Sequence, residues 1–127
     1  DNRRLDPAVP NIPRRFLEQA ISTIQSPAAS IMVSASSVDA MLKEKGYSTG
    51  TLYSRIKKAS EDHLITDAME EWAHEVRILA NEQRHDDRSV AEATIESAER
   101  TLEFALALAE YFFVLPARVE KGRHGNA

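Results

Sequence analysis

The sequence predicts an all-α protein, an antiparallel bundle of about five helices, on three observations. Apolar residues recur at steps of three and four along most of the chain, the period of a buried helix face. Strict apolar–polar alternation is never sustained, so no sheet is expected. The breaks between periodic segments are short and carry proline, glycine or capping residues, which favours antiparallel neighbours.

Residues 1–12, DNRRLDPAVPNI, hold two prolines and little periodicity, and are expected to form an extended lead-in. A bundle domain over 13–116 follows. Its first helix is expected to start near Pro13, proline being tolerated in a first turn, and to bury Phe16, Leu17, Ala20, Ile21 and Ile24. Ser26 and Pro27 supply an N-cap and a first helical residue for a second helix. That helix carries Ile31, Ala35, Val38, Met41 and Leu42 and stops at Gly46. Its small polar centre, SASS, lets a neighbouring backbone approach closely. A third, shorter helix spans about Thr51 to Ser60 with Leu52, Ile56 and Ala59 inward.

Thr66 can cap a fourth helix that carries Met69, Trp72, Ala73, Val76, Leu79 and Ala80, with Trp72 expected in the core. RHDDR breaks the pattern. Ser89 and Glu92 have the S-x-x-E spacing of a capping box and are expected to open the longest helix. Its seam is Ile95, Ala98, Leu102, Ala105, Ala109 and Phe112, and Pro116 is expected to close it. Alanines on that seam favour tight packing, within one subunit or between two. Residues 117–127 are expected to be a flexible tail. The chain begins at Asp1 without an initiator methionine, which suggests a processed product or a piece of a longer protein.

A length of 127 residues suits one domain with a real core. Hydrophobic residues at 43% against 28% charged place the chain among globular rather than disordered sequences. Cysteine is absent, which excludes disulfides, thiol nucleophiles and thiolate metal sites and fits a cytoplasmic protein. No apolar run approaches the length of a membrane span, so no membrane partner is expected. A net charge of −4 gives no global field to attract nucleic acid, so such a contact would have to be local.

The fourth helix carries the one polar constellation of interest. Arg77, Asn81 and His85 lie four apart, a step that turns about 40° on a helix and keeps side chains neighbouring. Glu70 and His74 share the sector. The strip flanks the buried stripe, where side chains either line a cleft or make helix–helix hydrogen bonds. Glu-x-x-His occurs twice, at Glu71/His74 and Glu82/His85, but both copies lie on one helix about 16 Å apart, so a single bundle di-metal centre cannot use both. No metal and no cofactor are expected. No phosphate-binding glycine loop or nucleophile elbow is present.

The segments IPRRFLEQAISTIQSPAASIMVSASSVDAMLKEKG, TLYSRIKK, WAHEVRILANEQRHDD and TLEFALALAEYFFVLPAR together resemble the bacterial domain of unknown function 4145. Arg77, Asn81, His85 and the terminal VLPAR are its most specific parts. The resemblance implies a helical domain related to the HEPN superfamily (higher eukaryotes and prokaryotes nucleotide-binding). It further implies a homodimer, RNA or a nucleotide as ligand, and a fused or neighbouring restriction-type protein as partner. Many HEPN proteins are metal-independent ribonucleases. Carried over, His85 would act on the RNA 2′-hydroxyl, Arg77 would stabilise charge on the phosphoryl group, and Asn81 would orient one of them. Glu70 and His74 would help hold the ligand. The spacing from Arg77 to His85 is longer than the ribonuclease pattern, Ile78 follows Arg77, and the second helix lacks an arginine. The expected function is therefore a non-catalytic interaction or regulatory module in a defence or nucleic-acid-processing system, with the ribonuclease as the alternative.

Overall fold

The computed structural model of the chain describes residues 4–84 and 92–125. These residues form an all-helical bundle without strands. The helices are α1 (Asn11–Ser22), α2 (Pro27–Glu44), α3 (Leu52–Glu61), α4 (Asp67–Arg84), α5 (Ile95–Ala109) and α6 (Leu115–His124), with a π-helical turn over Glu110–Val114 joining the last two. The last three segments make one continuous rod, so the bundle has five rods.

Helix α2 is the centre of the molecule and packs against α1, α3, α4 and α5. A helix surrounded in this way must be buried nearly all round. Nine of its residues are, among them Ile31, Val38, Met41 and Leu42 and the small residues Ser30, Ser34, Ala35 and Ser37. The serines let the neighbours come close, and two of them find a carbonyl partner, while the Ser34 hydroxyl is buried without one among the described residues. Ser30 Oγ donates to the Ala20 carbonyl of α1 at 2.8 Å and Ser37 Oγ to the Ser34 carbonyl at 2.6 Å. The alanine seam of the last rod, Ala98, Ala105 and Ala109, lies in this same core, so its close packing is within the subunit.

The C-terminal ends of α2 and α3 are both fixed by caps. Gly46, at φ +96°, donates its N–H to the Lys43 carbonyl while the Tyr47 N–H reaches back to Leu42 at 2.9 Å, a Schellman ending. At the end of α3 the same motif uses a histidine. His63 takes φ +62°, its N–H bonds the Ser60 carbonyl and the Leu64 N–H bonds Ala59, both at 2.9 Å. A side chain in this left-handed conformation costs about 1–2 kcal/mol, part of which glycine returns as unfolded-chain entropy. His63→Gly is therefore expected to raise stability by about 0.5–1 kcal/mol in urea unfolding; a loss of stability would contradict this. Tyr47 also ties the two helix ends together through its hydroxyl, which donates to Asp62 Oδ2 at 2.8 Å. That bond, with a second from Lys58, holds the Asp62 carboxyl below its ordinary range and raises the Tyr47 phenol above its own.

Four features differ from the sequence reading. The lead-in is not simply extended: Asp6 and Val9 close a turn, Val9 is buried, and Arg14 pins the segment through the carbonyls of Val9 at 2.8 Å and Asp6 at 2.9 Å. Helix α1 accordingly starts at Asn11. Helix α5 starts at Ile95 and not in the first turn after Ser89, a residue outside those described. The working capping box is Thr94 with Ser97, and Glu92 precedes the helix. Trp72 is 37% exposed at the rim, its ring tilted against Phe104 at 5.0 Å between centroids.

Pro116 does not end the last helix. A proline inside an α-helix has no N–H to give and drives its ring into the carbonyl four residues earlier. The π turn widens the rod just before it, and the Leu115 N–H donates to Glu110, five residues back. The helix then runs on to His124.

Candidate functional site

Part of the strip predicted on α4, Arg77 and Asn81, lines a cleft. Four α4 residues at steps of three and four, Arg77, Ala80, Asn81 and Arg84, face Ala35, Ser36 and Asp39 of α2 and the first turn of α3 across about 520 Å³. Gly50 shapes the α3 side. At φ +85° it turns the chain so that Thr51 caps α3, accepting from the Ser54 N–H at 3.1 Å; a Cβ on Gly50 would lie 2.6 Å from Ser54 Oγ. This start aims Tyr53 and Arg55 at the cleft.

Three guanidinium groups converge there. Arg55, with its side chain only 9% exposed, pairs with Asp39 of α2 and also contacts the Thr51 carbonyl at 3.4 Å. Asp39 is shared with Lys43 at 3.3 Å. Among the described residues no carboxylate lies within ion-pair distance of the other two arginines, Arg77 and Arg84. Arg77 is held by neutral contacts, its Nε donating to His74 Nδ1 at 3.4 Å and its guanidinium carbon 5.1 Å from the Tyr53 ring centre. Arg84 donates to Asn81 Oδ1 at 3.4 Å, which leaves the Asn81 amide N–H groups for a ligand.

Of the residues singled out in the sequence, Arg77 and Asn81 line this cleft together. Glu70 and His74 do not line it; they stand behind Arg77. His74 accepts from Arg77 on Nδ1, faces Glu70 Oε2 at 3.5 Å with Nε2, and stacks on Tyr53 at 4.9 Å between centroids. The chain Glu70–His74–Arg77 thus sets the direction of the guanidinium. His85 lies outside the described residues. Sequence reasoning missed Arg84, although its seven-residue step from Arg77 put it on the same face. It also missed Asp39, Tyr53 and Arg55, which no α4 pattern could reveal because they come from other helices.

A fixed fork of donors on each arginine, with an amide between two of them, is suited to grip a tetrahedral or planar oxyanion. Among the described residues no three His, Asp or Glu side chains gather as a metal site, and no helix is long and apolar enough to cross a membrane.

The fold and cleft define an all-α bundle domain with an arginine-lined pocket. The chain belongs to the family described as Domain of unknown function (DUF4145), whose family model matches residues 18–124. No curated protein and no solved structure matches it.

Proposed function

We propose that this domain is a non-catalytic interaction module of a cytoplasmic nucleic-acid-processing or defence system, and that its α2–α3–α4 cleft grips a phosphate group of the ligand. The observation that carries this reading is the pair Arg77 and Arg84, which have no carboxylate partner among the described residues and flank Asn81 in one cleft. Two neighbouring cations suit a doubly charged anion. A phosphate monoester carries about −1.5 to −2 at pH 7, whereas a diester in a nucleic-acid backbone carries one. The overall charge of −4 supports a local, contact-driven interaction over steering by the whole surface.

A second reading, a HEPN-like ribonuclease in which Arg77 and His85 act on RNA, is favoured by Arg77 and Asn81 sharing the cleft. One experiment separates the two. Labelled short RNA with and without a 5′-phosphate is titrated in chelator, by fluorescence anisotropy, and the same mixtures are run on a gel. The expected result is intact RNA, tighter binding of the phosphorylated form, and about 10–100-fold weaker binding for Arg84→Ala and for Arg77→Ala. Binding indifferent to both substitutions would remove the cleft from function. Cleavage abolished by Arg77→Ala and by His85→Ala would establish the nuclease instead.

A further inference from the structure

The arginine cleft does not end at α2. Ser36 and Asp39, on the outer face of that helix, line it and also line a second hollow of about 480 Å³ between α1 and α2. Ile12 and Phe16 of α1 form the far wall of this second hollow and border a third opening further along α1. The three join into one trough that crosses α2 from α4 to α1. Its two ends differ in chemistry. Arg77, Asn81 and Arg84 make one end a grip for a doubly charged anion. At the other end Ile12 is 56% exposed, and the half-buried Phe16 lies beside it one helical turn on.

We infer that this trough docks a phosphorylated segment of another protein, with the phosphorylated side chain in the arginine cleft and a large apolar side chain of the same segment against Ile12 and Phe16. Such docking rests on the phosphate grip proposed for the cleft and specifies what carries the phosphate. The charge along the trough opposes a polynucleotide, which brings a phosphate with every residue. Beyond the cleft the lining offers Arg15 and Lys43 against Glu18, Asp39 and Glu44, and Lys43 is already engaged with Asp39 at 3.3 Å. One phosphate is accommodated, at one end. The floor between the ends opposes an acyl chain, which gains only from apolar contact and would strand the polar groups it covers. That floor is Ser36 and Asp39. Ser36 Oγ donates to the Met32 carbonyl at 3.1 Å and keeps its acceptor capacity, and Asp39 retains 29% exposure, so both can accept main-chain N–H groups of a peptide. The spacing fits as well. Crossing one helix takes about 10 Å. An extended chain advances roughly 3.3 Å per residue, which places the apolar side chain about three residues from the phosphorylated one.

Three labelled short peptides test this by fluorescence anisotropy with the full chain. The first has a central phosphoserine with leucine three residues to either side, the second has alanine for both leucines, and the third is the leucine peptide without phosphate. The leucine phosphopeptide is expected to bind about tenfold more tightly than the alanine one, the worth of burying most of one aliphatic side chain. Ile12→Ser should erase that preference with the circular dichroism unchanged, Ile12→Leu should keep it, and Arg84→Ala should weaken both phosphopeptides. Equal binding of the two phosphopeptides, still weakened by Arg84→Ala, would overturn the docking groove and leave the phosphate grip standing. Peptide binding indifferent to both the phosphate and Arg84→Ala would overturn the grip as well. If instead 5′-phosphorylated RNA or vesicles containing phosphatidic acid lost tenfold in affinity with Ile12→Ser, and the peptides showed no preference, the groove would belong to that ligand and not to a protein segment.

Discussion

Phe112→Ala is expected to lower stability by about 3–5 kcal/mol, the largest loss of any single substitution considered. Phe112 is 2% exposed and lies in the π turn, the one place where the last rod departs from α geometry. The widened turn brings three consecutive aromatics to one end of the bundle. The Phe112 ring meets Phe113 edge-on at 6.0 Å and Tyr111 at 6.2 Å, and the Lys45 ammonium from the end of α2 sits 5.7 Å from its centre. Alanine would leave a cavity where a proline-imposed turn prevents the backbone from closing in. For a domain with a typical stability of about 5–15 kcal/mol, this removes a large share. The fall in melting temperature should be about 10–20 °C. Phe112→Leu keeps much of the volume and should cost much less. Calorimetry with urea unfolding checks both, and a loss under about 1 kcal/mol for the alanine variant would mean that the turn is not anchored by this ring.

The second large effect is expected at the Arg55–Asp39 pair. Arg55 is almost wholly buried, while Asp39 retains 29% exposure and a second cation in Lys43. Removing one partner of a buried pair strands the other charge, at a cost of about 3–5 kcal/mol when both are fully enclosed. Partial exposure of Asp39 and its contact with Lys43 reduce this, so Arg55→Ala is expected to cost about 1–3 kcal/mol. The double variant Asp39→Ala/Arg55→Ala should recover part of the loss, since neither charge is then stranded. Asp39→Asn separates packing from ligand binding. It keeps the shape of the side chain but frees the Arg55 charge, so the cleft should bind the 5′-phosphorylated RNA several-fold more tightly at low salt, with the gain shrinking as ionic strength rises. An unchanged affinity would show that Arg55 serves only to hold α3 on α2.

The helices were legible in the sequence because a helix face is a local property. The three- and four-residue recurrence in α1 to α5 follows from 3.6 residues per turn, and the punctuation at Ser26–Pro27, Gly46, Thr51 and Thr66 acts within a few residues of where it stands. Where local rules compete, the reading slipped. The Ser89–Glu92 spacing predicts one start for α5, whereas Thr94 with Ser97 holds the observed one. Proline forbids a regular α turn, yet a π turn satisfies it, so Pro116 bends the geometry of the rod without ending it.

The site was half legible. That Arg77 and Asn81 share an edge of α4 follows from their spacing alone, and both do line a cleft. What fills the other walls could not be read from that helix. Asp39 and Arg55 stand sixteen positions apart, and only the packing of α3 across α2 and α4 brings them to face each other beside Arg77. Likewise the exposure of Trp72 depends on how close α5 comes to α4, which no stripe on α4 encodes. Hydrophobic period is a statement about one helix and its own axis. A cleft, its charge balance and its depth are statements about the distances between axes, and those are set by side-chain volumes that meet only when the bundle has closed.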